Sequence, residues 1–297
     1  MRVTTNATFI RSSADLERAS EEVAKWQQQV SSGRRVSAPS DDPAAASAGI
    51  RERNEIAVQD QYSQAADSAN ARLTVIDTVL SDVISRVTSV RTTILSARGS
   101  LITPAQREAA ARELESLRDA LASSFNTSFK GTYPFAGSAG TTPPYQRQPD
   151  GTVVANGIDW TPVSLDIERN TTVQITYSAE AIAQGSDAEG LFDHLDRAIA
   201  AVRAGNDADM QAASDGIQAV FGRATAAQSL VGASLRAIEV QQGRVSALKR
   251  ASETRVAELE GANLAEAISG MNQAETAYRA ALGAIGTRGR VSLMDYL

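Results

Sequence analysis

The chain of 297 residues contains no cysteine and one histidine, His194. The first absence removes disulfides, thiolate nucleophiles, zinc ribbons and iron–sulfur clusters together. The second leaves any Ser-His-Asp triad or imidazole metal site hanging on one residue, with no second imidazole to complete it. Aromatic residues make up only 5% of the chain, which argues against a compact aromatic-rich enzyme. No apolar run approaches the roughly 20 residues that cross a bilayer, and the N-terminus lacks an apolar secretory core, so export would use another route. Basic residues number 29 against 35 acidic, a net charge of −6, and the longest basic cluster is Arg34-Arg35. Neither nucleic-acid binding nor membrane insertion is expected from that balance. No cofactor and no enzymatic activity are expected.

What the chain has in abundance is helical periodicity. Leu73, Ile76, Leu80, Val83, Val87, Val90, Ile94 and Ala97 alternate steps of three and four without a slip, the seam of a coiled-coil-like helix. Asp42-Pro43 supplies an N-cap acceptor and a proline at the first helical position, and Gly99 marks the end. From Pro43 to Arg98 such a helix would be on the order of 80 Å long, a rod and not part of a small globule. A second helix is announced by the capping-box spacing Thr103-Pro104-Ala105-Gln106, with Ala110, Leu114, Leu117, Leu121 and Phe125 on one face. It should fold back on the first.

Upstream, Phe9, Leu16, Ala19, Val23, Trp26 and Val30 form a separate seam that stops at Ser31-Ser32-Gly33. Downstream, Ser186-Asp187-Ala188-Glu189 reads as another capping box, followed by Leu191, Phe192, Leu195, Ile199 and Val202, with Gly205 as the stop. A second rod carries Met210, Ile217, Phe221, Ala224, Val231, Leu235, Ile238 and Val245, with Gln228 and Gln242 as polar register markers in the seam. Glu260-Gly261 interrupts it. The last helix bears Leu264, Ile268, Met271, Tyr278, Leu282 and Ile285, and Gly283, Gly286 and Gly289 read as helix termination.

Between the helical halves the period changes to two. Val163, Leu165 and Ile167, then Val173, Ile175 and Tyr177, alternate with polar residues as strands do. Asp150-Gly151 and Asn156-Gly157 offer the positive-φ dipeptides of two-residue hairpins. This segment looks like a separate module.

The expected fold is mainly α: long antiparallel coiled-coil-like helical rods, paired terminal helices, and a small inserted β-rich domain. Residues 1–36 and 262–297 would form a terminal helical domain, 37–130 and 181–261 a rod domain, and 131–180 the inserted domain. Each terminal stripe is too narrow to be stable alone, so its burial must come from the other terminus or from neighbouring subunits. His194 falls beside the Leu191-Leu195-Ile199 stripe and reads as a solvated surface histidine. Asn206-Asp207-Ala208-Asp209 lacks the spacing of a calcium loop and reads as a helix cap. Arg34 and Arg35 read as contacts to a partner protein or to solvent.

The stretch Gly33-Arg34-Arg35-Val36-Ser37-Ala38-Pro39-Ser40-Asp41-Asp42-Pro43 resembles the N-terminal region of the flagellin superfamily. Its Ala-Pro-Ser-Asp-Asp-Pro form is more similar to the hook–filament junction branch than to filament flagellin. Gly131-Thr132-Tyr133-Pro134-Phe135-Ala136-Gly137-Ser138, Leu264-Ala265-Glu266-Ala267-Ile268 and the ending Ser292-Leu293-Met294-Asp295-Tyr296-Leu297 agree, in order, along the chain. The resemblance implies a secreted structural protein exported through the flagellar type III apparatus and located between hook and filament. It implies a homo-oligomeric ring, a neighbouring hook-associated protein, a filament-side junction protein or flagellin, and a cytoplasmic export chaperone. The residues expected to carry assembly are Phe9, Leu16, Val23, Trp26, Val30, Arg34, Arg35, Leu264, Ile268, Met271, Tyr278, Leu282, Ile285, Leu293 and Leu297. The alternatives are a filament flagellin and, from a distant class, a helical sensor or adhesin-like module with the β segment as ligand site.

Overall fold

The computed structural model describes residues 2–99, 101–168 and 171–294, and side-chain surroundings for 10–99, 101–168 and 171–286. Its elements in chain order are α1 (Arg2–Ser32), α2 (Pro43–Ser96), α3 (Pro104–Phe125), β1 (Tyr145–Arg147), β2 (Val153–Ala155), β3 (Ser164–Glu168), β4 (Thr171–Gln174), α4 (Ala179–Ala183), α5 (Leu191–Ala204), α6 (Asp207–Glu260) and α7 (Leu264–Met294). The chain is mainly α, with two long coiled-coil-like helices, paired terminal helices and a small inserted β-rich segment. Contacts divide it into two units, one of residues up to Gln59 and from Ala247 onward, the other Asp60–Ser246. The divisions fall inside α2 and α6.

The core of the Asp60–Ser246 unit follows from the seams. Leu73, Ile76, Leu80, Val83, Val87, Val90, Ile94 and Ala97 of α2 are all buried. On α6 the buried row is Met210, Ala213, Ile217, Val220, Ala224, Ala227, Val231, Ile238, Gln241 and Val245, again in steps of three and four apart from one step of seven. Full burial of such a Leu, Ile or Val contributes about 1.5–3 kcal/mol, so these rows dominate the unit's stability. Leu114, Leu121 and Phe125 of α3 and Leu191, Leu195 and Val202 of α5 join the same cluster. The polar residue in the α6 row is therefore Gln241, one position before the expected marker. Gln242 is half-buried and donates from Nε2 to Asp67 at 2.7 Å, and Gln228 is half-buried too.

Helix ends obey local chemistry. Asp42 Oδ1 accepts from the Ala45 amide at 3.0 Å, and Thr103 and Gln106 close a reciprocal capping box. Asn206 Oδ1 accepts from the amides of Ala208 and Asp209, which makes the acidic cluster a cap as expected. Gly205 ends α5 at φ 68°. The start of α5 differs from expectation. Its N-cap is Gly190, whose amide donates to Asp193 at 2.8 Å, because Asp187 is taken by Arg223 and Glu189 by Arg197.

The β segment forms two separate antiparallel pairs, β1 with β2 and β3 with β4. Asp150-Gly151 does lie in the β1–β2 turn, but not as a two-residue loop: the Gln148 amide donates to Thr152 O at 2.8 Å and the Gly151 amide to Gln148 O at 3.0 Å, leaving a three-residue loop in which Gly151, at φ 91°, takes the positive-φ position and Asp150 does not. Asn156-Gly157 is no hairpin turn: the Asn156 amide side chain donates to Pro143 O at 2.7 Å, and the chain leaves as a loop instead of reversing. The segment is also less separable than its periodicity suggested. Phe135, Tyr145, Val153, Ile167, Val173 and Tyr177 are buried in the same cluster as the helices. The Phe125, Phe135, Tyr145 and Phe192 rings meet edge-on or tilted at centroid distances of 4.6–5.7 Å.

His194, expected in solvent, is 8% exposed, because α5 presses its imidazole onto Gly216 of α6, where any Cβ would overlap the ring. Helix α7 does not stop at Gly283, Gly286 or Gly289 but runs to Met294; glycine weakens a helix without ending it when the chain beyond remains helical.

Candidate functional site

The terminal segments come together in the unit that holds both chain ends. Helices α1 and α7 lie against each other there. Gly270 makes the approach possible: a Cβ at that position would stand 2.7 Å from the Trp26 indole. Leu16, Val23, Trp26 and Val30 on α1, and Met271, Tyr278 and Ile285 on α7, are half-buried. Leu264, Ile268 and Leu282 remain 51%, 46% and 44% exposed, while Ala267, one residue before Ile268, is 1% exposed. Thus α7 has an apolar arc wider than α1 covers. The side chains of Phe9 and Leu293, and all of Leu297, lie outside the described residues.

Where these helices meet the rods, the two chain segments cross as a short antiparallel bridge, Arg34 opposite Gly261. The Arg35 amide donates to Glu260 O at 2.7 Å and the Ala262 amide to Gly33 O at 2.9 Å. Gly33 ends α1 at φ 67°, a left-handed conformation that glycine adopts without a Cβ penalty. Arg34 and Arg35 are both half-exposed but not idle. Arg35 pairs with Asp42 at 3.2 Å and donates to Leu259 O at 3.1 Å.

The Pro-Ser-Asp-Asp-Pro block now has a physical reading. Asp41 Oδ2 accepts from the amides of Ala38 and Ser37, each at 2.9 Å, closing the turn that Pro39 enters. Those backbone donors hold the Asp41 carboxyl below its ordinary value. The Ala45 amide, then Arg35, do the same for Asp42, which caps α2. A comparable role falls to Gly131–Ser138. Gly137, at φ 58°, lets the Asp159-Trp160 backbone pass where a Cβ would lie 2.6 Å away. Ser138 Oγ then donates to Asp159 Oδ2 at 2.6 Å, and with Thr161 this lowers the Asp159 pKa to about 2.

Sequence reasoning missed Glu260, Arg53 and Gly49. Glu260 is 4% exposed, pairs with Arg53 and lies 4.0 Å from Arg34. The available signal was an acidic residue directly before a helix-breaking glycine. Among the described residues no group of His, Asp and Glu is placed to hold a metal ion, and no helix is long and apolar enough to cross a membrane.

A framework of long helices with paired ends and a β insertion is a flagellin-like helical fold, and residues 3–140 match the family model of the bacterial flagellin N-terminal helical region. The chain is similar to flagellar hook-associated protein 3 of Escherichia coli (strain K12), 29% identical over 228 residues that cover 72% of this chain and 71% of that protein. Its fold is similar to that of a protein from Vibrio parahaemolyticus assigned to the flagellar hook-associated proteins, with TM-score 0.70 and 21% identity over 74% of this chain and 100% of that one. It is similar too to the flagellar junction protein FlgL from Legionella pneumophila, with TM-score 0.61 and 14% identity over 72% and 100% of the two chains. The resemblance read from the sequence, to the hook-associated branch of the flagellin superfamily, holds.

Proposed function

We propose that this chain is a structural adapter of the bacterial flagellum, exported through the flagellar type III apparatus and joining hook to filament as a ring of identical subunits. In this reading residues 1–36 and 262–297 pack with neighbouring copies, the rods 37–130 and 181–261 surround them, and 131–180 faces outward. The observation that carries it is the arc Leu264, Ile268 and Leu282, left about half exposed on one stripe of α7 beside its contact with α1. Three large apolar residues on one helix stripe are costly in water and favour cover by another protein surface. Before assembly an export chaperone would cover the same stripe.

The test is a deletion strain. Hooks should remain intact while filaments detach and flagellin accumulates in the medium, and plasmid-borne wild-type chain should restore attachment. Normal filaments in the deletion strain would remove the adapter reading. Long filaments grown from the purified chain alone would favour the filament-subunit reading instead.

A further inference from the structure

Glu260 is the one carboxylate at the chain crossing that is buried, at 4% exposure. A charge in that position requires partners, and two arginines supply them in a space that a glycine leaves open. Arg53 of α2 pairs with Oε2, Arg34 reaches the same oxygen at 4.0 Å, and Gly49 of α2 leaves the space that Oε1 fills, since a Cβ there would overlap the carboxylate. The main chain of the same residue is engaged as well. Its carbonyl accepts from Arg35 at 2.7 Å and from Val36 at 3.5 Å, and the next residues complete the bridge through Ala262 and Gly33. Side chain and backbone of one residue therefore lock both chain segments of the crossing onto one site on α2.

We propose that Glu260 is a positioning residue for assembly: its buried carboxylate, clamped by Arg53 over Gly49, holds segments 33–36 and 260–262 in a single register, so that α1 and α7 leave as a pair. This rests on the adapter reading for its consequence but not for its geometry. The crossing contains Gly33, free to turn, and Gly261, so the short backbone bridge is held between two glycines and the buried carboxylate supplies the side-chain anchor that ties it to α2.

The experiment compares Glu260→Gln, Arg53→Gln, their double variant, Arg53→Lys and the exposed control Glu266→Gln in the full chain. Hydrogen exchange reads the Arg35 and Ala262 amides, and incorporation at hook tips is read in the deletion strain. Each single Gln variant should speed exchange at those two amides by about 10-fold or more, with the double variant no worse, because the second loss follows the first. Amides of α2 between Leu73 and Ile94 should be unchanged, incorporation should fall with the faster exchange, and Arg53→Lys should restore both. Unchanged exchange in the Gln variants would overturn the pin, and faster exchange with normal incorporation would overturn its positioning role. Arg53→Gln keeps the test intact if Glu260→Gln fails to fold, since Arg53 is 45% exposed at its side chain. A wild-type chain that never reaches hook tips would sink the adapter reading alone, with the amide comparison still deciding the pin.

Discussion

The indole of Trp26 occupies the place that a side chain on Gly270 would need, 2.7 Å from that position's Cβ. An α1–α7 pair this close depends on glycine, because packed interiors absorb an added methyl only by shifting their neighbours. Gly270→Ala should therefore displace Trp26. In a Trp160→Phe background, which leaves Trp26 as the sole indole, emission should move to the red while far-ultraviolet circular dichroism changes little. Unchanged emission would mean that the two helices do not depend on this contact.

His194 and Gly216 repeat the relationship between α5 and α6. Gly216→Ala places a methyl inside the imidazole, and overpacking of this kind costs about 1–3 kcal/mol, so the thermal midpoint should fall. Adding His194→Ala should recover part of the loss, and a double variant no better than the single one would refute the steric account.

These two pairs also mark what could be read from the sequence. The α2 seam was legible because every contact it needs follows from its own three-four spacing, and each of its eight residues is buried. Caps at Asp42, Thr103 and Asn206 were legible for the same reason, since donor and acceptor lie within three residues. His194 was misread because the surface that buries it is a glycine on another helix, invisible to a helical-wheel argument about α5. Gln241 was displaced by one position because the true row also runs through Ala213, Val220 and Ala227, whereas Phe221 and Leu235, larger and more conspicuous in the sequence, are only partly buried beside it. Glu260 was seen as an interruption and not as a group, since Arg53 stands 207 residues away in sequence. Asn156-Gly157 has the dipeptide of a hairpin, yet its amide had a better acceptor in Pro143.

The Ser138–Asp159 clip gives a pH prediction. The Ser138 hydroxyl, then Thr161, lower the Asp159 pKa from 3.8 to about 2. A carboxyl held down in the folded state contributes fully above its ordinary value and loses that contribution as pH falls through the folded one. In a Trp26→Phe background, emission of Trp160 should thus change between pH 4 and 2. Asp159→Asn should abolish that transition, and a transition that survives the substitution would assign it to another group.

Deleting residues 138–180 should lower the thermal midpoint and bind more of a hydrophobic dye. The deletion takes Tyr145, Val153, Ile167, Val173 and Tyr177 from the common core and leaves Phe125 and Phe192 without the ring between them. Each lost aromatic or aliphatic contact exposes apolar area worth about 25 cal/mol per Å². A helical transition unchanged in midpoint and sharpness would show that α2, α3, α5 and α6 close their core without the insertion.

The outer arc of α7 separates stability from assembly. Leu264, Ile268 and Leu282 are about half exposed, whereas Leu80 of α2 is 0% exposed. Charging the first set costs the monomer little, since half-exposed positions remain in water. Truncating Leu80 to Ala opens a cavity and costs about 2–5 kcal/mol. Ile268→Asp with Leu282→Asp should accordingly leave the thermal midpoint of the purified chain nearly unchanged, abolish its incorporation at hook tips and weaken its capture by an export chaperone. Leu80→Ala should do the reverse at permissive temperature, lowering the midpoint while the surviving folded chain still incorporates. The two charges lie on a surface that α1 does not cover, so they can act only where another protein would sit. If the double Asp chain incorporated as the wild type does, that surface would face solvent in the assembled state, and the seam would have to be sought on α1.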